Sequence, residues 1–220
     1  ETVVAAMAAA GFKALNLSLG STHAEQLRRF HRPDVRAAFD RALDLAERHA
    51  LAAVGYIIVG APHQSAEESV DDLLFLAERR VLAGVSVFYP APGSPDFDLC
   101  RRLDLLPSSL GRMRASALPI EHTTRRIESV TLLRLGRLLN FMKYLLDHGL
   151  SLPAPWPSDA VALDPGNRIE TGRSLLARFR ADGRIRGLTP DGMVYDHHVA
   201  SRLCERFLSG LQKITLRGTA

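Results

Sequence analysis

The sequence predicts an α/β protein with a parallel sheet, and three observations carry that prediction. Three short segments have the composition of strands, and each ends in a loop rich in glycine, proline or serine. The first two loops lead into segments with helical periodicity. The strand centres Leu15, Val54 and Val85 are 39 and 31 residues apart, which is typical of successive βα units.

The elements of the first half follow in order. Apolar residues at helical spacing predict a helix that stops at Gly11, and alternation predicts a strand over 14–19. Pro33 and Asp34 suit the first turn of a helix that runs to about His49. The apolar run 52–59 predicts a buried strand. We expect these two strands and a third over 84–89 to be parallel neighbours in chain order.

The loop at 60–65 follows the second strand, and a capping box of Ser65 and Glu68 opens the next helix. We expect this loop to leave backbone N–H groups bare, where a ligand could meet them together with a helix N-terminus. The plainer interpretation is that any βα turn needs such residues. Both stay open from the sequence.

The second half has a different pattern. We predict one long amphipathic helix over 121–148 and a proline-rich stretch over 153–165. Beyond it we predict helices near 169–181 and 199–210, a hairpin of 184–188 with 193–195, and a closing apolar segment at 214–216. We therefore divide the chain into βα units (1–106), a helical extension (107–152) and a small basic α+β domain (153–220).

Composition and motif searches exclude several classes. With only Cys100 and Cys204, the chain has no disulfide framework and cannot hold an iron–sulfur cluster unaided. No apolar run is long enough for a membrane helix and no signal peptide is apparent, so we expect a cytoplasmic protein with no membrane partner. The eight histidines lack metal-site spacing, and P-loop, G-x-G-x-x-G and G-x-S-x-G motifs are absent.

Four loop segments, taken in order, resemble the radical S-adenosylmethionine (radical SAM) enzymes. They are Leu17-Ser18-Leu19-Gly20-Ser21, Arg32-Pro33, the run from Gly55 to Pro62 with Glu67-Glu68, and the run from Tyr89 to Pro95. They are similar to the fourth to sixth strands of that family's partial TIM-type barrel, over residues 1–104. The resembling branch includes oxygen-independent coproporphyrinogen oxidases, tRNA methylthiotransferases and cobalamin-binding radical enzymes.

The resemblance implies an S-adenosylmethionine site. Ser18 and Ser21 would meet its ribose and methionine parts, and Arg32 its carboxylate. Ile58 and Gly60 would lie against the adenine. The full set of cofactor-binding residues implied by the resemblance is Ser18, Gly20, Ser21, Arg32, Tyr56, Ile58, Gly60, Ala61 and Tyr89. No catalytic residue and no metal ligand is assigned within the chain.

The resemblance also implies cofactors and partners that this sequence does not supply. The family's 4Fe–4S cluster binds cysteines spaced C-x3-C-x2-C, and with S-adenosylmethionine it generates a 5′-deoxyadenosyl radical that abstracts hydrogen from a substrate. That motif is absent and the chain begins at Glu1, so we expect a fragment that is inactive alone. A flavodoxin or ferredoxin would supply electrons, and cobalamin is a further cofactor of the branch.

Two other functions remain open. Residues 112–220 carry 17 Lys or Arg against 10 Asp or Glu, so a module that binds or modifies tRNA or another nucleic acid is one alternative. Its phosphate-facing arginines would be Arg168, Arg173, Arg178, Arg180, Arg184 and Arg186. The other alternative is an unrelated barrel enzyme that binds a phosphorylated metabolite at the same loop ends.

Overall fold

Alternating strands and helices form the first half of the protein. The computed structural model describes residues 1–114, 118–158 and 161–219. The elements in chain order are helix α1 (Thr2–Ala9), strand β1 (Ala14–Gly20), helices α2 (Ala24–Arg29) and α3 (Arg36–Arg48), strand β2 (Ala52–Val59), helix α4 (Ala66–Ala77), strand β3 (Leu82–Val87) and helix α5 (Pro95–Arg102). A short 3-10 turn follows at Leu110–Arg114.

The three strands make one parallel sheet in the order β1, β2, β3, so the predicted parallel α/β arrangement is confirmed. β3 lies two residues earlier than the predicted strand 84–89. The reason is its partner: the β2–β3 ladder runs from Val54 opposite Leu82 to Val59 opposite Val87, where β2 ends. Phe88 extends the pairing only by donating its N–H to the Val59 carbonyl.

The second half contains α6 (Arg126–Asp147), α7 (Arg168–Asp182), β4 (Arg186–Leu188), β5 (Val194–Asp196) and α8 (Ser201–Leu211). β4 and β5 form the predicted antiparallel hairpin. α6 begins five residues later than predicted, because the carboxylates of Glu121 and Glu128 accept the N–H groups of Arg126 and Arg125 and hold the chain before the first turn. The apolar segment at 214–216 is neither strand nor helix.

One face of the parallel sheet carries the core. Leu19, Ile57 and Val59 are fully buried there against α3, α4 and α6. The same apolar cluster extends without a break to Phe179 of α7 and Phe207 of α8. The two halves of the chain therefore share one core, whichever way their boundaries are drawn.

α2 has no counterpart in the sequence prediction, since six residues are too few to show a helical period. α3 starts at Arg36, not at Pro33, because an Asp34 carboxylate oxygen accepts the Arg36 N–H just before the first turn. In the described parts of the chain, no helix combines the length and apolar character needed to cross a bilayer.

Candidate functional site at the open face of the sheet

The second face of the parallel sheet, here called the open face, lies opposite α3, α4 and α6. Asn16, Ser18 and Tyr56 are solvent-exposed on it, and Ile58 and Ser86 are half-buried. Side chains alternate across a strand, so these residues point away from the core residues that separate them. A parallel sheet is usually covered on both faces. A one-sided parallel sheet leaves a surface on which a ligand can lie.

Strand register places Ser18, Tyr56 and Gly84 side by side in one row across the open face. Arg32, in the loop after α2, reaches this row and donates from Nη1 to Ser18 Oγ at 2.5 Å. The two residues are 14 positions apart in sequence. The contact brings together the two residues that the resemblance assigns to the methionine end of S-adenosylmethionine.

Arg32 carries the only charge in this row. Its side chain is exposed, and no carboxylate of the described residues comes within ion-pair distance of it. Gly20 lies next to it, at a distance where an added Cβ would make only ordinary van der Waals contact, 3.6 Å from Arg32 Cδ. The backbone is what requires glycine there, since Gly20 has a φ of +79°. Beside its bond to Ser18, the guanidinium keeps N–H groups that can bind an anion.

Tyr56 forms the aromatic part of the open face. Its ring lies across Gly84, where an added Cβ would be only 2.6 Å from Tyr56 Cδ1. Because Gly84 has no side chain, the Tyr56 ring can pack flat against the sheet, and 37% of Tyr56 remains exposed. Gly84 was not among the predicted site residues. Its place opposite Tyr56 depends on the strand register, which the sequence alone does not fix.

The loop at 60–65 does not leave its backbone N–H groups bare, so that expectation is wrong. Ala61 donates to Gln64 Oε1 at 3.2 Å, His63 to His122 Nδ1 at 3.3 Å, Gln64 to the Ala61 carbonyl at 3.1 Å, and Ser65 to a Glu68 carboxylate oxygen at 3.0 Å. The buried Gln64 side chain also donates to the Ile58 carbonyl at 2.8 Å. These bonds give the four amides acceptors within the protein and leave none of them available to a ligand.

Gly60 is required by packing. It has a φ of +78°, and a Cβ there would lie 2.8 Å from Ser129 Oγ of α6. Ala61 is also buried. Gly60 therefore lies beneath α6 and Ala61 lies in the interior, and the side chain of Ile58 is the part of 58–61 that reaches the open face.

Ser21 and Tyr89 are held by other contacts. Ser21 is fully buried, and its hydroxyl accepts the N–H of His23. The neighbouring Thr22 donates from both its backbone and its hydroxyl to buried Asp72, whose pKa is raised by burial. Tyr89 donates its hydroxyl to the Leu118 carbonyl at 2.9 Å, and burial raises its pKa. These two residues are not part of the row at Ser18.

The described residues do not fit a metal centre. No group of three or more His, Cys, Asp or Glu side chains able to hold an ion occurs among them. Cys100 and Cys204 are both buried, and burial raises the pKa of each thiol, that of Cys204 to about 11. Cluster binding needs thiolates. This chain's own residues thus do not suit a 4Fe–4S cluster.

The arginines of 168–186 are largely engaged within the protein. Arg178 is buried, and Arg173 and Arg180 donate to the carbonyls of Ser151 and Pro153. Ion pairs join Arg184 to Asp196 and Arg186 to both Asp182 and Asp196. Side chains fixed in this way form a poor surface for phosphates.

No protein-family model and no curated protein matches this chain.

Proposed function

We propose that this chain is part of a radical SAM enzyme and that its open face binds S-adenosylmethionine. The observation that carries the proposal is the contact of Arg32 with Ser18, beside the exposed ring of Tyr56. An arginine without a carboxylate partner next to an aromatic surface suits a ligand that has both an anionic group and a planar ring. S-adenosylmethionine has both, in its carboxylate and its adenine.

Arg32 would hold the methionine carboxylate. A guanidinium offers two parallel N–H donors that match the two oxygens of a carboxylate. Ser18 fixes the guanidinium from below and keeps a hydroxyl available to the same ligand. The protein's part at this end is to bind and orient the methionine group.

Tyr56 and Ile58 would receive the adenine. They lie two residues apart on β2 and so share the open face, with Ile58 opposite Ser86 of β3. Because the N–H groups of 61, 63, 64 and 65 already donate to acceptors in the loop, in α4 and at His122, adenine recognition here would rely on apolar and aromatic contact. This replaces the backbone contact that the resemblance implies at Gly60 and Ala61.

The two edges of the sheet support a partial barrel. On β3, the side chain of Asn140 pairs with the backbone of Ala83 in both directions, at 2.8 and 2.9 Å, where a further strand would otherwise bond. On β1, no strand of the described residues pairs with the outer edge. A barrel that ends at β3 and continues from β1 has its lumen on the open face.

The cluster of the proposed enzyme would need cysteines from outside this sequence, since the residues here do not fit one. In the family that this chain resembles, S-adenosylmethionine supplies a 5′-deoxyadenosyl group for hydrogen abstraction. This chain would contribute the wall that positions it, in a cytoplasmic enzyme.

NMR titration of the 220-residue chain with S-adenosylmethionine and S-adenosylhomocysteine tests the proposal. Both ligands should shift the Arg32 Nε–H, the Tyr56 ring and the Gly84 amide at millimolar concentrations. Arg32→Ala should weaken binding about tenfold or more, because one charge-assisted hydrogen bond contributes about 1.5–3 kcal/mol. Arg28→Ala is the matched control, since Arg28 is an exposed arginine paired with Glu25.

A second variant separates ligand binding from folding. Gly84→Ala displaces the Tyr56 ring without introducing a polar group or a strained φ, and should weaken both ligands while the circular dichroism spectrum stays unchanged. Absence of shifts at Arg32 and Tyr56, or equal binding by Arg32→Ala and Arg28→Ala, would overturn the proposal.

A barrel enzyme for a phosphorylated metabolite is the second candidate, favoured by the same guanidinium of Arg32, which no carboxylate of the described residues pairs with. A sugar phosphate in the same titration distinguishes the two. Shifts at Arg32 with sugar phosphate and none with S-adenosylhomocysteine would assign the site to phosphate and reject the adenosyl ligand.

A further inference from the structure

A separate cavity of about 300 Å³ lies between α6, α7 and the hairpin of β4 and β5. It belongs to the second half of the chain and shares no residue with the open face of the parallel sheet. Its lining is divided into a basic part and an apolar part. The basic part is Arg134, Arg137, Arg186 and His197, and the apolar part includes Phe141, Leu175 and Ile185.

Two of the arginines have no anionic partner. Arg134 and Arg137 lie three positions apart on α6 and so project from one side of the helix. Neither makes an ion pair or hydrogen bond with the residues that the structure describes. Arg134 is half-buried, and burial lowers its pKa, as does the charge of Arg137. Arg137 is exposed. Two neighbouring cations at the wall of one cavity repel each other, and a bound anion would relieve that repulsion.

The third arginine contrasts with this pair. Arg186 is held by Asp182 at 2.6 Å and by Asp196 at 3.0 Å, so the acidic groups of this region are already used. His197 lies beside them, and burial and the charge of Arg134 lower its pKa. A neutral imidazole can donate or accept one hydrogen bond at the cavity wall. The unbalanced charge of the cavity therefore lies on α6.

The apolar part has a defined shape. The Phe141 ring lies across Gly172 of α7, where a Cβ would be only 2.5 Å from the ring. Leu175 and Ile185 complete this side, and Ile185 is buried. A volume of about 300 Å³ is at the small end of the range for small-molecule sites.

We propose that this cavity binds a small organic anion, with its carboxylate or phosphate on Arg134 and Arg137 and its apolar body against Phe141, Leu175 and Ile185. The combination of a charged end and an aromatic wall within one concavity distinguishes it from a surface for nucleic acid, which would follow the phosphates along an open stripe. The inference does not depend on S-adenosylmethionine binding at the open face.

The test uses three probes with the full chain, followed by calorimetry and by NMR of the Gly172 amide and the Phe141 ring. 2-Naphthoate has both the charge and the apolar body, 2-naphthamide lacks the charge, and inorganic phosphate lacks the apolar body. We expect 2-naphthoate to bind at least tenfold more tightly than either of the others. A naphthyl phosphate compared with 2-naphthoate then shows which anion the arginines prefer.

Variants assign the binding to the arginine pair. Arg134→Gln with Arg137→Gln should abolish 2-naphthoate binding, and Arg137→Lys should retain part of it. Arg101→Gln with Arg102→Gln, at two exposed positions of α5, is the control with the same loss of charge and should change nothing. Thermal unfolding of each variant checks that the fold is kept.

Three results would overturn the proposal. One is 2-naphthamide binding as tightly as 2-naphthoate, which would make the cavity merely apolar. Another is unchanged 2-naphthoate affinity in the double variant, or no binding at millimolar concentration. The third is tRNA binding that depends on Arg134 and Arg137 when 2-naphthoate does not bind, which would make this a polyanion surface.

Discussion

Lys143 of α6 is a fully buried lysine in the centre of the protein. Its ammonium donates to the carbonyls of Ala77, Arg79 and Arg217, at 3.3, 2.6 and 2.7 Å. All three donors are thus used, and the residue joins α6 to the end of α4 and to the C-terminal segment. Burial lowers the pKa of Lys143 to about 7, although the charge of Asp147 opposes the shift.

This lysine should make stability depend on pH. Between about pH 7 and the usual lysine pKa of 10.5, the unfolded chain holds a proton that the folded protein has released. The free energy of unfolding should therefore rise with pH from about 7, with a limiting slope on the order of 1.4 kcal/mol per pH unit. Urea unfolding at pH 7, 8 and 9 measures the slope.

Lys143→Met isolates the effect. The variant keeps the volume but removes the Nζ donor to these three carbonyls. Those of Ala77 and Arg79 still accept the N–H groups of Arg217 and Val81, whereas that of Arg217 loses the donor that Lys143 supplies. The variant should therefore unfold more easily by about 1–3 kcal/mol at pH 9. Its stability should also lose the rise between pH 7 and 9. An equal rise in both proteins would show that Lys143 is not the titrating group.

Among the helices, α6 stabilises the parallel sheet directly, through its contacts with β3. It approaches β3 closely at Gly136, where a Cβ would lie 2.6 Å from Val85. One turn further along, Asn140 accepts the Ala83 N–H and donates to the Ala83 carbonyl. The side chain therefore takes the place of a neighbouring strand on the outer edge of β3.

Replacing Asn140 by leucine tests how much its pairing with the Ala83 backbone contributes to stability. The leucine is similar in size but leaves a buried N–H and a buried carbonyl without partners, so we expect a loss of about 2–4 kcal/mol in the free energy of unfolding. The Ala83 amide should exchange with solvent much faster. Asn16→Leu, at an exposed position of β1, is the control and should change stability little. A stable Asn140→Leu variant with a protected Ala83 amide would contradict this role.

For the whole molecule, the continuous core predicts cooperative unfolding. Ile57 of β2 and Phe207 of α8 lie in the same buried cluster, although 150 positions separate them. Arg206 of α8 adds an ion pair at 2.7 Å to Asp71 of α4. Removing either half would leave a large apolar surface of the other exposed to water.

Hydrogen exchange tests this cooperativity. The slowest amides of β2 and of α8 should exchange with the same free energy of opening, equal to that of global unfolding in urea. Both should respond alike to added denaturant. If the α8 amides opened at a clearly lower free energy, the second half would be an independent unit and the shared core would not govern stability.

The local elements could be predicted from the sequence. Periodicity and turn residues were enough for β1, β2, the hairpin and the longer helices, because each depends on residues near it in the chain. The capping box of Ser65 and Glu68 is confirmed for the same reason. Of the candidate site, the resemblance named both Ser18 and Arg32, and the structure shows the two side chains in contact.

Which groups are available to bind a ligand depends on long-range packing and could not be predicted from the sequence. Gln64, His122 and Glu68 take up the amides of the loop at 60–65, and Ser129 of α6 lies over Gly60. Register brings Gly84 beneath Tyr56, and the approach of α7 to α6 creates the cavity at Arg134. These are contacts between residues up to tens of positions apart. A single sequence carries no local signal for them, since they arise from packing and strand pairing and not from propensity.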